Sequence, residues 1–127
     1  MRKQLSSSVN VRAELRLRVL RVLEKHPHFT QRQLASELNV SLSGVNYALK
    51  ALIHRGSVKV SNFRKSGNKV GYLYVLTPKG VVEKASLATA FLGRKLEEYE
   101  VLKQEIEALK GEVESGGSAN SVKGAGS

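Results

Sequence analysis

The stretch Phe29-Thr30-Gln31-Arg32-Gln33-Leu34-Ala35-Ser36-Glu37-Leu38-Asn39-Val40-Ser41-Leu42-Ser43-Gly44-Val45-Asn46-Tyr47-Ala48-Leu49-Lys50 holds two helix starts separated by one tight turn. Thr30 caps the first, Gln33 sits where a capping box needs it, and Phe29 is spaced to staple onto Leu34. The helix then runs to Leu38. Asn39 follows, one of the few residues besides glycine that tolerates a left-handed backbone, and Ser41 caps the second helix. In that helix Leu42, Val45, Leu49, Leu52 and Ile53 recur with helical spacing and are expected inward. Ser43, Gly44, Asn46, Tyr47 and Lys50 are left on the opposite face, and Gly56 closes the helix.

Upstream, Leu15, Val19, Val22 and Leu23 form a helical stripe that predicts a helix from about Val11 to Lys25, ended by His26-Pro27. Ala13 and Leu17 lie off that stripe, which suggests a second face buried against something outside the domain. Downstream, Val58 to Phe63 and Val70 to Leu76 are β-rich runs joined by Arg64-Lys65-Ser66-Gly67-Asn68-Lys69, the composition of a hairpin loop with a basic tip. Thr77-Pro78 then opens a long helix, expected to reach about Glu114. Its heptad seam places Leu92, Tyr99, Ile106 and Val113 at position a and Leu102 and Leu109 at d, with Leu96 beside it and Lys95 interrupting one d position. Glu98 and Glu105 at g precede Lys103 and Lys110 at e by five residues, the spacing of interchain pairs in a parallel dimer. The remainder, Ser115 to Ser127, is low in complexity and is expected to be a disordered tail.

Helix, helix, tight turn, helix, two-stranded ribbon and long helix is the order of a winged helix-turn-helix. The expected class is mainly α with a small β-ribbon: residues 11–77 as the winged domain, 78–114 as a dimerisation helix and 115–127 as the tail. Charge agrees with a nucleic-acid partner. The 127-residue chain carries a formal net charge of +10, and residues 1–80 alone hold fifteen Lys/Arg against three Glu, a net of +12. Residues 81–127 hold six against eight, a net of −2. A basic excess confined to a compact unit suggests a polyanion, although charge alone is also compatible with a simple solubilising role. A membrane surface would instead call for a basic amphipathic helix with bulky apolar residues opposite, and no stretch approaches the roughly 18 apolar residues of a membrane span.

Enzymatic chemistry has little to work with. All 11 acidic residues are Glu, and Cys and Asp are both absent, so neither a Ser-His-Asp arrangement nor a thiolate metal site can be assembled. His26 and His28 make a poor metal pair without carboxylate or thiolate company. No glycine motif cradles phosphate. No enzyme activity, cofactor or metal is expected, and a cysteine-free chain with no apolar leader fits an unprocessed, cytoplasmic protein.

From about Leu15 to Leu109 the chain resembles MarR-type winged helix-turn-helix regulators, and within them the short subgroup called EPS-associated transcriptional regulators. The resemblance is carried by Gln31-Arg32-Gln33-Leu34-Ala35, Val40-Ser41-Leu42-Ser43, Asn46-Tyr47-Ala48-Leu49-Lys50-Ala51-Leu52-Ile53, Gly56-Ser57-Val58-Lys59, Asn62-Phe63, Asn68-Lys69 and Tyr74-Val75-Leu76-Thr77-Pro78-Lys79-Gly80. It implies a dimeric bacterial cytoplasmic regulator of duplex DNA, with its third helix in the major groove and its wing tip beside it. The subgroup's name implies a link to exopolysaccharide genes. Where the wider family carries Asp-x-Arg in the wing, this chain has Ser66-Gly67-Asn68-Lys69, so Arg64, Lys65 and Lys69 take the place of the missing arginine. The expected N-terminal extension is also shorter, which places the dimer mainly on the C-terminal helix and leaves a small-molecule effector undefined.

The expected function is a homodimeric, sequence-specific regulator on a pseudo-palindromic operator. Ser43, Asn46, Tyr47 and Lys50 are the candidate base readers, with Gly44 at the same surface. Ser41, Gln31, Arg32, Arg64, Lys65, Asn68 and Lys69 are the candidate backbone and wing contacts. Leu92, Leu96, Tyr99, Leu102, Ile106, Leu109 and Val113 form the candidate dimer interface. Arg16, Arg18 and Arg21 are expected to lie mainly on a solvated face. The alternative from another class is a winged-helix adaptor that docks a protein and recruits a partner through its coiled coil.

Overall fold

A computed structural model of the protein describes residues 2–64 and 70–121, as α1 (Arg2–Lys25), α2 (Gln31–Leu38), α3 (Leu42–His54), β1 (Val58–Arg64), β2 (Val70–Leu76) and α4 (Pro78–Ser121). The fold is the expected one, helical with one antiparallel hairpin and a long last helix. Two boundaries differ. α1 starts at Arg2 rather than near Val11, because Ser6, Ser7, Ser8 and Asn10 lie within the helix instead of capping it, and no proline or glycine precedes Lys25. α4 continues to Ser121 through residues 115–121 of the expected tail, because no proline stops it and Gly116-Gly117 weakens a helix without ending it.

The helix ends follow the local chemistry. The Gln33 backbone N–H donates to Thr30 Oγ1 at 3.1 Å and the Gln33 side chain accepts from the Thr30 N–H at 2.7 Å, a complete capping box. Asn39 takes the left-handed conformation, φ 56° and ψ 48°, and the Val40 N–H closes onto the Ala35 carbonyl at 3.0 Å. Ser41 Oγ then caps α3 by accepting from the Gly44 N–H at 3.0 Å. Gly56 ends α3 with a positive φ of 78°.

Contacts divide the chain into two units, Met1–Thr89 and Ala90–Ser127. In the first, Val19, Leu20 and Leu23 of α1, Leu34 and Leu38 of α2, Val45, Ala48, Leu49 and Leu52 of α3 and Val58 of β1 form one buried core. Each fully buried leucine contributes about 1.5–3 kcal/mol relative to exposure. Leu17 is fully buried too, inside this unit but outside that cluster, so the second face of α1 is partly covered by the chain's own fold. Leu42 and Ile53, expected inward, are exposed by 41% and 38%, while Ala48 is buried. The enclosed side of α3 is therefore Val45, Ala48, Leu49 and Leu52.

β1 and β2 pair in register from Val58 opposite Leu76 to Arg64 opposite Val70. The ribbon is tied to the helices through the Tyr74 N–H, which donates to the Pro27 carbonyl in the α1–α2 turn at 2.9 Å. The start of α4 belongs to the same unit, which therefore extends past the expected boundary at residue 77. Thr77 caps α4 by accepting from the Gly80 N–H at 3.1 Å, and Leu87 packs on the core. Glu83 lies between Arg16 Nε at 3.6 Å and Arg55 Nη2 at 3.1 Å and accepts from the Ser57 hydroxyl, which joins α1, the end of α3 and α4.

The second unit is the rest of α4.

Candidate nucleic-acid interface

α3 presents the outward face that its periodicity requires. Ser43, Tyr47 and Lys50 are exposed, Asn46 is half-buried, and the four buried side chains Val45, Ala48, Leu49 and Leu52 anchor the opposite side. The exposed set offers a hydroxyl, an aromatic ring and a cation, which suit the hydrogen-bonding base edges of a DNA major groove. Ser41 is committed to capping, and its hydroxyl also lies 3.2 Å from that of Ser43, so the two serines stand together at the N-terminal end of α3.

α2 supplies Gln31 at its first turn and the exposed Arg32 beside it. Gln31 is engaged at both ends of its carboxamide. Its Oε1 accepts from Asn46 Nδ2 at 3.1 Å and its Nε2 donates to Tyr74 Oη at 3.3 Å. α3, α2 and the wing strand are thus linked by three polar side chains. A groove of about 270 Å³ opens beside them, lined by His28, Phe29, Thr30, Gln31, Gly71, Tyr72 and Tyr74. Arg64 ends β1, and its side chain lies outside the described residues, as do Lys65, Asn68 and Lys69 of the wing tip.

Helix-one arginines have distinct roles. Arg18 donates to the Leu38 carbonyl at 2.6 Å, satisfying the end of α2 and fixing its angle to α1. Arg16 is held by Glu83, and Arg21 is exposed. The expectation of a mainly solvated arginine face therefore holds for Arg21 alone of the three. Arg12 was not singled out by the sequence reading. Its guanidinium lies 5.9 Å from the centroid of the Tyr47 ring, over a side chain that is 62% exposed. The packing of α1 against α3 brings this cation to the outer face of α3. Tyr74 was also missed as a site residue; its hydroxyl and its alternation with Tyr72 were the available signals.

Residues 12–59 match the family model described as winged helix-turn-helix DNA-binding. Over those residues the chain is similar to winged helix-turn-helix DNA-binding domains. The winged domain and the helix after it are similar to solved regulators. A C30AH42A mutant of ZitR from Lactococcus lactis in its apo form is 26% identical, with a TM-score of 0.50, over 87% of this chain and 89% of that one. The adhesin competence repressor AdcR from Streptococcus pyogenes is 20% identical, with a TM-score of 0.50, over 97% and 93%. AdcR in a Zn(II)-bound state, described as a zinc-dependent MarR family transcriptional regulator, is 24% identical, with a TM-score of 0.45, over 78% and 73%. No curated protein sequence matches the chain significantly. Zinc dependence is a property of that AdcR; among the described residues here, no three His, Cys, Asp or Glu side chains converge on a metal position. No described helix is long and apolar enough to cross a membrane.

The seven seam residues of α4 are all exposed, from 43% at Ile106 to 69% at Val113, with Val101 also exposed at 55%. Lys95, which interrupts the seam, pairs with Glu98 at 3.2 Å and lies 5.1 Å from the Phe91 ring on its own helix.

Proposed function

We propose that the protein is a homodimeric, sequence-specific regulator of transcription that binds double-stranded DNA at a pseudo-palindromic operator. The observation that carries this reading is the α3 surface: Ser43, Tyr47 and Lys50 stand outward, with the half-buried Asn46 beside them, on a helix whose other face is locked into the core. In this reading α3 enters the major groove, where Asn46 pairs with adenine and Lys50 donates to guanine O6/N7. Arg32, Arg12 and the basic wing residues Arg64, Lys65 and Lys69 neutralise phosphates, with Asn68 at the wing tip, and the Gly44 backbone lets α3 approach closely. The cytoplasmic setting and a link to exopolysaccharide genes rest on the resemblance to EPS-associated regulators.

Dimerisation is assigned to α4. A lone helix that exposes Leu92, Leu96, Tyr99, Leu102, Ile106, Leu109 and Val113 on adjoining positions leaves apolar surface that a second copy would remove from water. Two-fold symmetry then sets half-sites about one helical turn apart.

The test is to incubate the purified protein with sheared genomic DNA at about 150 mM salt, where nonspecific binding is weak at about 10⁻⁴ to 10⁻⁶ M, and to sequence what is retained. An enriched inverted repeat upstream of a gene cluster is expected. Recovery without sequence preference overturns the regulator reading in favour of the adaptor.

A further inference from the structure

We infer that the α4 seams of two copies pair in parallel and in register, with Glu98 and Glu105 of each copy facing Lys103 and Lys110 of the other. This rests on the homodimer reading above and fixes the polarity of its interface. α4 is unbroken from Pro78 to Ser121, so the heptad phase runs through Gly93 and Gly111 without a shift. Its surface is shaped for a copy of itself. Tyr99, Leu102, Lys103 and Ile106, at positions a, d, e and a, line a hollow of about 110 Å³ together with Glu107. Four residues of one helix around such a hollow are the hole into which a coiled-coil knob inserts, and Leu102 of the second copy fills it.

A hole of this kind takes a knob in either polarity, and charge decides between the two. In a parallel pair position g faces e of the other copy, five residues on; in an antiparallel pair g faces g and e faces e. Here g holds Glu98 and Glu105, and e holds Lys103 and Lys110. Parallel copies set a carboxylate against an ammonium at each of these positions. Antiparallel copies would set Glu against Glu and Lys against Lys. The charges are also available: among the described residues Glu105, Lys103 and Lys110 enter no ion pair within their own chain, and Glu98 is held only through Oε1, by Lys95 at 3.2 Å. Phe91 and Leu96 occupy g and e one heptad earlier, so the same pairing sets apolar against apolar. The winged unit precedes the seam in each chain, so a parallel pair attaches both units at the same end.

The chain has no cysteine, so one introduced thiol reports on one position. Leu102→Cys and Leu109→Cys, each in the full chain, are treated with a short bismaleimide in dilute solution. Both are expected to give a cross-linked dimer, and Gln104→Cys, at position f on the far side of the helix, is expected to give none. An antiparallel pair cannot bring both leucine positions onto their own copies: if one pair meets, the other is apart by twice seven residues, about 21 Å at ~1.5 Å per residue. The second measurement is the dimer dissociation constant by sedimentation over a range of salt. Glu98→Lys with Glu105→Lys turns attraction into repulsion and is expected to weaken the dimer by about tenfold, and adding Lys103→Glu with Lys110→Glu is expected to restore it.

Cross-linking at only one of the two leucine positions overturns the inference, as does equal cross-linking of Gln104→Cys. An unchanged dissociation constant in the doubly lysine-substituted chain likewise overturns it, because antiparallel copies would only exchange like charges for like charges. So does a fourfold variant that stays weak. If the wild type is a dimer and neither leucine position cross-links, the inference fails and the homodimer reading stands. If the wild type is a monomer at every concentration, free and on DNA, both fall.

Discussion

Replacing Gly80 with Ala should destabilise the winged unit even though alanine is the better helix former. A Cβ built on Gly80 would stand 2.1 Å from the Ser57 carbonyl oxygen and 3.0 Å from its carbon, whereas ordinary contact begins at 3.4 Å. About 1.3 Å of separation must therefore be found between α4 and the α3–β1 turn. Ser57 cannot supply it. It is fully buried, its N–H donates to the Leu52 carbonyl at 2.9 Å, and its hydroxyl donates to Glu83. α4 must move instead, which stretches the bond from the Thr77 N–H to the same Ser57 carbonyl, now 3.0 Å. Overpacking costs about 1–3 kcal/mol and the lost hydrogen bond about 0.5–1.5 kcal/mol. The gain in helix propensity is only about 1 kcal/mol. The net is a loss of about 2 kcal/mol, or a melting temperature lower by about 8–16 °C in a unit of this size. Gly93 is the control on the same helix: nothing lies within 4 Å of its Cβ position, so Gly93→Ala should gain stability through propensity alone. Urea and thermal melts followed by circular dichroism read both variants. A Gly80→Ala protein as stable as the wild type would refute the close approach of α4 to Ser57.

Leu49→Ala removes a side chain that is 1% exposed at the centre of the core, and should cost about 2–5 kcal/mol in the same melts. Thr30→Ala deletes the capping box and should cost about 1 kcal/mol, with Gln33 losing its reciprocal bond. Arg12→Ala, measured by salt titration of random-duplex binding, should weaken it and reduce the salt slope by about 0.9, the value of one phosphate contact; an unchanged slope would restrict Arg12 to packing on Tyr47. Truncation after Gly93 removes most of the exposed seam and should convert a dimer to a monomer or weak dimer by light scattering, whereas an unchanged dimer would move the interface to α1 and the start of α4.

Much of the architecture was written in local chemistry. The capping box at Thr30, the left-handed Asn39, the cap at Ser41, the glycine at 56 and the Thr77-Pro78 start are each decided within about four residues, and the structure shows every one in place. Apolar periodicity located the buried middle of α3, at Val45, Leu49 and Leu52. It failed at the ends, where Leu42 and Ile53 have the right phase but are only partly covered. It also passed over Ala48, which is 3% exposed. Helix lengths at Arg2 and Ser121 were misread because serine, asparagine and glycine favour ends without enforcing them.

The sequence by itself determined the element order, the two-strand ribbon, the basic charge of the first eighty residues and the polar set on α3, because short-range sterics, capping and side-chain period govern all of these. Only the tertiary structure decided how those polar groups are used. It brought Gln31, Asn46 and Tyr74 into one hydrogen-bonded chain across separations of up to 43 residues, spent Arg18 on the end of α2, buried Glu83 between two arginines, and set Arg12 over Tyr47. Contacts of that kind depend on the angle at which one element crosses another, and that angle is fixed by the summed packing of the core rather than by any local run of residues.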